Sequence, residues 1–444
     1  MSDPLTDPRT GQRAGRSRQR LTATVTDLEV VRQRAYLVGV VLGDADRGEA
    51  ENSLRELGLL AATAGSDAVH SLLVRRHRAD PALLIGSGKA AQIAAEVAAL
   101  DVDVVVFDNA LSPAQQRNLQ QRFHVDVVDR VALILDIFAQ HATSHEGRIQ
   151  VELAQHRYRL PRLRGRGVEM SRLGAGINTR GPGETKLETD RRRILERVDR
   201  LEAQLRRSRR SRATNTKARK RSEIPVVSMV GYTNAGKSTL FNKLTDAGAL
   251  VEDRLFATLD STVRRRRLPN GRSVLFSDTV GFVRRLPHEL VESFRSTLEE
   301  VNQASLLLHV VDASDPDPDG QIAAVGEVLR QIGAGTIDEQ VVINKIDVAE
   351  PALVERLGAI HPDAVAVSAL TGAGIDELVE AIAARLEGTT TEIDVVVPYH
   401  RGDVVARLHQ TGEVLGEDHV AGGTRLKVKL PKIDADRFLE FADR

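Results

Sequence analysis

Gly231-Tyr232-Thr233-Asn234-Ala235-Gly236-Lys237-Ser238 fits the spacing G-x-x-x-x-G-K-[ST]. A run of this kind is suited to holding a polyphosphate. Glycines let backbone N–H groups turn inward around phosphate oxygens, and a helix opening at the end of the run adds about half a positive charge at its N-terminus. Lys237 is placed to bridge the β- and γ-phosphates and Ser238 to put its hydroxyl on Mg2+, with Thr239 continuing into the helix. Farther along, Asp278-Thr279-Val280-Gly281 follows a short apolar run, Leu275-Phe276-Ser277. In this D-x-x-G pattern Asp278 would reach Mg2+ through water, and Gly281 can swing its N–H toward a γ-phosphate. Between the two runs, Phe256-Ala257-Thr258-Leu259-Asp260 occupies the position of a first switch, with Thr258 the candidate second protein ligand of Mg2+.

The phosphate loop alone leaves ATP and GTP open. Asn344-Lys345-Ile346-Asp347, after the strand-like Val341-Val342-Ile343, resembles the guanine-specificity motif of GTPases. There the Asp carboxylate accepts both N1–H and the 2-amino group of guanine. Adenine offers neither donor, and an unpaired buried carboxylate costs about 1–3 kcal/mol or more. Ser368-Ala369-Leu370, after Val365-Ala366-Val367, supplies the backbone that would contact the guanine oxygen. The residue after Gly281 is Phe282, where many GTPases carry a water-orienting glutamine. Together with Asn234, this resembles GTPases with a hydrophobic residue in that place, some of which use the matching Asn to help hold K+. A monovalent cation then brings charge that an arginine finger would otherwise supply.

These segments need strands to aim them and helices to cover the strands. Ile224–Val230 reads as a buried strand feeding the phosphate loop, and Thr239–Leu244 as the start of the helix that leaves it. The alternation of strand and helix continues from residue 224 to 387, which is the expected P-loop GTPase domain. A smaller α/β alternation spans residues 22–129. Residues 130–221 carry no strand signal: an apolar helix through Phe138, a helical stretch around Val151–Leu160, a Gly-rich segment at 165–183 and a long helix. In that helix Leu187, Ile194, Val198, Leu201 and Leu205 recur at intervals of seven, four, three and four, a seam for an antiparallel helical hairpin. Residues 393–444 read as strand, helix, strand, strand, helix, a small C-terminal α+β domain. Residues 1–21 read as a disordered tail.

Composition closes off other classes. With 444 residues and 41% hydrophobic content the chain can form about three domains with real cores. The absence of cysteine rules out disulfides and thiolate metal sites and suits a cytoplasmic setting. No apolar run approaches the ~18 residues of a membrane span. Net charge is zero, so a polyanion would have to be met by local clusters. With 3% aromatic residues, rows of stacking rings are not expected. No Cys nucleophile, Ser/His/Asp set or metal-ligand cluster stands out beside the nucleotide motifs.

Gly181-Pro182-Gly183-Glu184-Thr185-Lys186-Leu187-Glu188-Thr189-Asp190-Arg191-Arg192 resembles the G-P-G-E-T-x-L-E-x-D-R-R signature of the HflX family of GTPases. Val151-Glu152-Leu153-Ala154-Gln155, Leu160-Pro161-Arg162-Leu163 and Ser112-Pro113-Ala114-Gln115-Gln116-Arg117-Asn118-Leu119 carry the same likeness. It runs from about Thr22 to the end and is weakest after Ile393. The resemblance implies a GTPase, binding GTP and GDP, that associates with the large ribosomal subunit and its rRNA and dissociates stalled ribosomes under stress. Two basic segments fit such a partner. Residues 206–221 hold nine Lys or Arg and no acid, and Arg162, Arg164, Arg166, Arg172 and Arg180 line the Gly-rich segment. Arginine both pairs with phosphate and stacks on bases. A solvated linker is the plainer reading of such a run.

The chain is expected to be a monomer. Two other roles stay open: a GTPase of rRNA or tRNA maturation or ribosome assembly, or an RNA-remodelling ATPase acting through the N-terminal domain. The last rests on Leu84-Ile85-Gly86-Ser87-Gly88-Lys89, which imitates a phosphate loop. It departs from the pattern, with Leu83 in place of the first glycine and Ala90 in place of the Mg2+-binding hydroxyl. A tight strand-to-helix turn is the favoured reading.

Overall fold

The computed structural model describes residues 32–163, 182–221, 224–245, 255–256, 262–279, 281–284, 301–388, 390–431, 435 and 438–442. The expected tail and most of the Gly-rich segment lie outside them. The chain divides into two compact units, Met1–Asp136 and Ile137–Arg444.

The first unit is built on β1 (Gln33–Leu42), α1 (Arg47–Thr63), β2 (Ser66–Arg76), α2 (Ser87–Ala99), β3 (Val104–Phe107), α3 (Pro113–Phe123) and β4 (Asp126–Asp129). The strands pair in parallel in the order β2-β1-β3-β4. Central β1 is buried over most of its length, as a strand covered on both faces must be. Tyr36, Val38, Ile85, Ile93, Val105 and Phe107 share one core. The Ser112–Leu119 motif does structural work here. Ser112 and Gln115 form a capping box with Pro113 in the first turn. Gln115, Gln116 and Asn118 then donate to the carbonyls of Asp80, Val127 and Ala82. Ser53, Glu56 and Asp108 converge on the buried Arg130 guanidinium.

Helix α4 (Arg130–His141) crosses the division, and the second unit continues with α5 (His145–Arg162) and α6 (Pro182–Arg221). Ile149 and Leu153 pack with Val198, Leu201 and Leu205, the C-terminal part of the seam read from sequence. Glu146 pairs with Ser208, and Glu152 with Arg197 at 2.7 Å, so the helices run in opposite directions. The α6 backbone stays helical through the basic run to Arg221, past the last seam leucine. Arg, Lys and Ala all favour helix, so the run can prolong it without an apolar face.

Next come β5 (Val226–Gly231), α7 (Lys237–Thr245), β6 (Thr262–Arg267), β7 (Ser273–Asp278), β8 (Leu306–Asp312), α8 (Pro318–Ile332), β9 (Glu339–Asn344), α9 (Pro351–Ile360), β10 (Val365–Ala366) and α10 (Ile375–Gly388). Among the described residues the strands form one six-stranded sheet ordered β10-β9-β8-β5-β7-β6. All neighbours are parallel except β6, which runs antiparallel to β7 on the edge. The chain moves outward from β5 to β6 and β7, then returns to β8 on the other side of β5. The carboxyl end of β5 is therefore a topological switch point, where open α/β sheets bind ligands. Met229, Phe241, Phe276, Leu308 and Val342 are among the side chains that fix this sheet to its helices.

The last part is a three-stranded antiparallel sheet ordered β11-β13-β12, with β11 (Thr390–Val397), β12 (Glu413–Val420) and β13 (Gly423–Pro431), and α11 (Gly402–Thr411). Val395, Leu408 and Val428 lie in its core. The expected final helix falls partly outside the described residues; a 3-10 turn spans Leu439–Phe441.

Candidate functional site: the carboxyl end of the second sheet

Strand β5 delivers its last residue into a loop that only glycine can shape. At Gly231, φ is +150 and a Cβ would sit 2.3 Å from the Val310 carbonyl oxygen. At Gly236, φ is +90 and a Cβ would sit 2.3 Å from Asn344 Nδ2. Asn234 also takes a left-handed conformation, φ +61, and its side chain is exposed at the loop's crest. Helix α7 starts at Lys237, so its first free N–H groups point into the loop.

Lys237 is almost fully buried, and its Nζ donates to the Tyr232 carbonyl at 2.6 Å. Burial pulls its pKa down to about 8, helped by the Lys345 charge and opposed by Asp278. Ser238 Oγ donates to Asp278 Oδ2 at 2.7 Å, which joins the end of the phosphate loop to the end of β7. A hydroxyl beside a buried carboxylate is a hard oxygen donor set, the kind Mg2+ takes when it shares its shell with phosphates and water. Thr258 lies outside the described residues, as do Ala257, Leu259, Asp260 and Val280. Thr279 is turned into the sheet, where its hydroxyl donates to the Met229 carbonyl at 2.6 Å.

Gly281 closes against the loop: a Cβ there would lie 2.8 Å from Thr233 Cγ2 and 3.0 Å from Lys237 Nζ. The residue after it is stitched to the phosphate loop by its backbone. Phe282 N donates to the Gly231 carbonyl at 3.1 Å, and Thr233 N donates to the Phe282 carbonyl at 2.7 Å. The Phe282 side chain is 1% exposed, packed where it cannot position a water. Two further contacts were not legible as site features in the sequence. Arg284 N donates to the Tyr232 hydroxyl at 2.7 Å, and the Arg284 guanidinium pairs with Asp317, the N-cap of α8. Phe256, φ +59 and 2% exposed, meets Phe138 edge-on with ring centroids 4.6 Å apart.

On the base side, buried Asn344 binds the pieces together. Its Nδ2 donates to the Ala235 carbonyl at 2.8 Å, and its Oδ1 accepts from Ala369 N at 3.0 Å. The Ala369 amide is thus taken by Asn344, and the adjoining Leu370 stands 72% exposed. Ser368 is buried, with its hydroxyl accepting from Thr371 N. Lys345, φ +63, pairs with Asp312, the last residue of β8, at 2.7 Å. Ile346 is half-buried and packs beside Ile343, while the Asp347 carboxylate faces solvent.

Of the arginines expected to meet RNA, Arg162 is described: its guanidinium lies 3.5 Å over the Tyr158 ring at the end of α5. Arg164, Arg166, Arg172 and Arg180 lie outside the described residues. The imitation loop at Gly86 is a tight turn into α2, with Leu84 at φ +63 and Ile85 fully buried. Its Lys89 donates along its own helix to Gln92 at 2.9 Å. No described helix is long and apolar enough to cross a membrane.

Comparison with known proteins matches four consecutive family models. They are described as GTP-binding GTPase N-terminal over residues 51–139, GTP-binding GTPase middle region over 141–219, 50S ribosome-binding GTPase over 226–345 and HflX C-terminal domain over 352–440. A GTPase HflX of Lacrimispora saccharolytica is 43% identical over 94% of this chain and 97% of its own length. The GTPase HflX of Escherichia coli is 43% identical over 86% of this chain and 90% of its own. Among solved structures, a GTP-binding protein from Sulfolobus solfataricus in complex with GDP aligns at 23% identity, over 80% of this chain and 98% of that one, with a TM-score of 0.41.

Proposed function

Because the chain belongs to the HflX family of GTPases, we propose that it spends its GTP hydrolysis on the large ribosomal subunit, dissociating or rescuing stalled ribosomes under stress. GTP and GDP are its nucleotides, and P-loop GTPases of this kind work with Mg2+. The five-part division of the chain at residues 1–21, 22–129, 130–221, 224–387 and 393–444 belongs to the same reading.

The roles follow from where the groups lie. Lys237 and the amides of residues 233–239 hold the β- and γ-phosphates. Ser238 and Thr258 would hold Mg2+ directly and Asp278 through water, and the ion would supply positive charge to offset the phosphates. Gly281 offers its amide to the γ-phosphate. Asp347 reads the two guanine donors, and the backbone of Ser368-Ala369-Leu370 reads the guanine oxygen, for which Leu370 has the amide that Asn344 leaves open. With Phe282 turned into the protein, the attacking water needs another source of charge, and Asn234 at the loop crest is placed to help hold K+. Hydrolysis is then expected to run several-fold faster in K+ than in Na+ at equal ionic strength; equal rates in the presence of ribosomal subunits would remove Asn234 from that role.

The observation that carries the ribosomal reading is the match of residues 226–345 to a 50S ribosome-binding GTPase. The arginines at 162–180 and the basic end of α6 support it. Cytoplasmic location and a monomeric state go with that partner. Sedimentation with separated subunits tests it: the protein should travel with the large subunit in a non-hydrolysable GTP analogue and release in GDP. Indifference to both subunits in either nucleotide would refute the proposal.

A further inference from the structure

Strand β6 reads Thr-Val-Arg-Arg-Arg-Arg, and residues 261–277 hold five arginines and no acid. Arg264, Arg265 and Arg267 are exposed, on a strand that stands at the edge of the sheet among the described residues. None of the four consecutive arginines pairs with a carboxylate among the described residues. Arg264 donates to the Val263 carbonyl, Arg265 to Ser273 Oγ, Arg266 to the Leu244 carbonyl and Arg267 to the Gly271 carbonyl. Some other exposed arginines are matched to acids, among them Arg157 to Glu202, Arg330 to Glu327, Arg356 to Asp319 and Arg425 to Asp394. Others, such as Arg34 and Arg148, donate to carbonyls; what sets β6 apart is four in succession. A guanidinium carries five donors, and each of these four spends one on a neutral oxygen, so at exposed Arg264, Arg265 and Arg267 most of the fork faces outward still charged.

We propose that this arginine edge is a second RNA-contact surface, gripping the phosphate backbone of the large-subunit rRNA next to the nucleotide switches; it rests on the ribosomal reading above. The guanidinium fork matches phosphate oxygens two at a time. Arg265 and Arg267 lie two residues apart, on one face and about 7 Å from each other along the strand. The strand shows no aromatic ring, so the contact grips the backbone and does not read bases. It also shows no exposed apolar side chain to seat an acidic peptide. Charge does guard open sheet edges, and one or two residues suffice for that; four uncompensated arginines in a row exceed the need. The position gives the contact a consequence. Thr262, the first residue of β6, pairs with Asp278, and the chain enters β6 directly from the first switch. RNA held on this edge therefore bears on the strand end that carries Asp278 and on the point where the chain enters β6.

The test uses the full-length protein with Arg264→Gln, Arg265→Gln and Arg267→Gln combined, beside the matching triple Lys variant. Affinity is measured across a KCl series for intact large subunits and for protein-free large-subunit rRNA. Three lost contacts should weaken rRNA binding by about 100-fold near 0.1 M salt and make the slope of log K against log salt shallower by about 2 to 2.7. The Lys variant should keep the parent's slope, and basal GTP hydrolysis should stay within about twofold in both. Parental affinity and slope in the Gln variant overturn the proposal while leaving the ribosomal reading intact. So does a loss seen with intact subunits but absent with bare rRNA, which would assign the edge to an acidic ribosomal protein, and so does an equal loss of slope in the Lys variant. A parent protein that binds neither probe overturns both readings.

Discussion

Lys237 is a charge held where water cannot reach it, and its two states can be separated by experiment. Burial lowers its pKa from 10.5 to about 8. Between those values the unfolded chain binds more protons than the folded one, so this lysine makes stability rise with pH from about 8 to 10.5. Below about pH 8 the full penalty is present, roughly 3 kcal/mol from the depressed pKa. Lys237→Met removes that penalty along with the phosphate contact. The nucleotide-free variant should unfold at or above the parent's temperature at pH 7, and the advantage should shrink at pH 9, while GTP hydrolysis is lost. Thermal unfolding at the two pH values and a phosphate-release assay check both halves. Asp347→Asn acts on the base instead: GTP affinity should fall by an order of magnitude or more, and xanthine nucleotides should gain. Unchanged GTP binding by titration would remove Asp347 from guanine recognition. Both positions are legible in sequence because each motif is local, a few side chains at fixed spacing. What Asn344 does between them is not local. Its reach to Ala235 and Ala369 spans 109 and 25 residues and exists only once β5, β9 and β10 share a sheet.

At the scale of elements, the segment after β7 is held to the phosphate loop by a short parallel bridge between Tyr232 and Phe282. One hydroxyl and one ion pair secure its far end: Tyr232 accepts from Arg284 N, and Arg284 is fixed in turn by Asp317. If this latch sets where Gly281 presents its amide, loosening it should matter only when a γ-phosphate is present. Tyr232→Phe should leave GDP affinity near the parent's and weaken a non-hydrolysable GTP analogue about three- to tenfold, the loss of one hydrogen bond. Asp317→Asn should move the same ratio, since Asn caps α8 as well as Asp does but cannot pair with Arg284 as an ion. Equal losses for both nucleotides would reduce the latch to plain structural support. Nothing in the sequence marks these three residues as partners, for Tyr232 and Arg284 lie 52 positions apart and Arg284 and Asp317 lie 33 apart. Strand β6 was illegible for another reason. Four arginines in succession erase the alternation that announces a strand, and the remaining cue is the Asn270-Gly271 turn, with Gly271 at φ +82, that folds it back onto β7. The strands β5 and β9, each an apolar run leading into a motif, were legible in the sequence as Ile224–Val230 and Val341–Ile343.

The net charge of the whole molecule is zero, so on the ribosomal proposal affinity must come from the placement of basic segments and not from total charge. The arginines at the end of α5 and just beyond it in sequence are one such segment. Neutralising Arg162, Arg164 and Arg166 removes up to three phosphate contacts, which predicts weaker large-subunit binding at every salt concentration and a slope shallower by roughly 0.7–0.9 per contact. Intrinsic GTP hydrolysis should barely change, because these residues stand outside the nucleotide motifs, whereas ribosome-stimulated hydrolysis should fall with binding. A solvated linker would leave all three quantities at the parent's values. Arg162 carries an extra condition: its guanidinium lies on the Tyr158 ring, so Tyr158→Leu should weaken binding modestly if that stack presents the fork to phosphate. The two segments can then be compared in one protein. If the α5 arginines and the β6 edge grip the same RNA at once, the six-fold neutralised variant should lose the sum of the two slopes, since contacts that share no partner contribute independently. If they serve alternative bound states, the combined loss should match the larger single loss, and only one of the two variants should change the preference for the GTP analogue over GDP. Large-subunit affinities of the parent, both triple variants and the combined variant, each measured in both nucleotides over a KCl series, distinguish simultaneous grip from alternation.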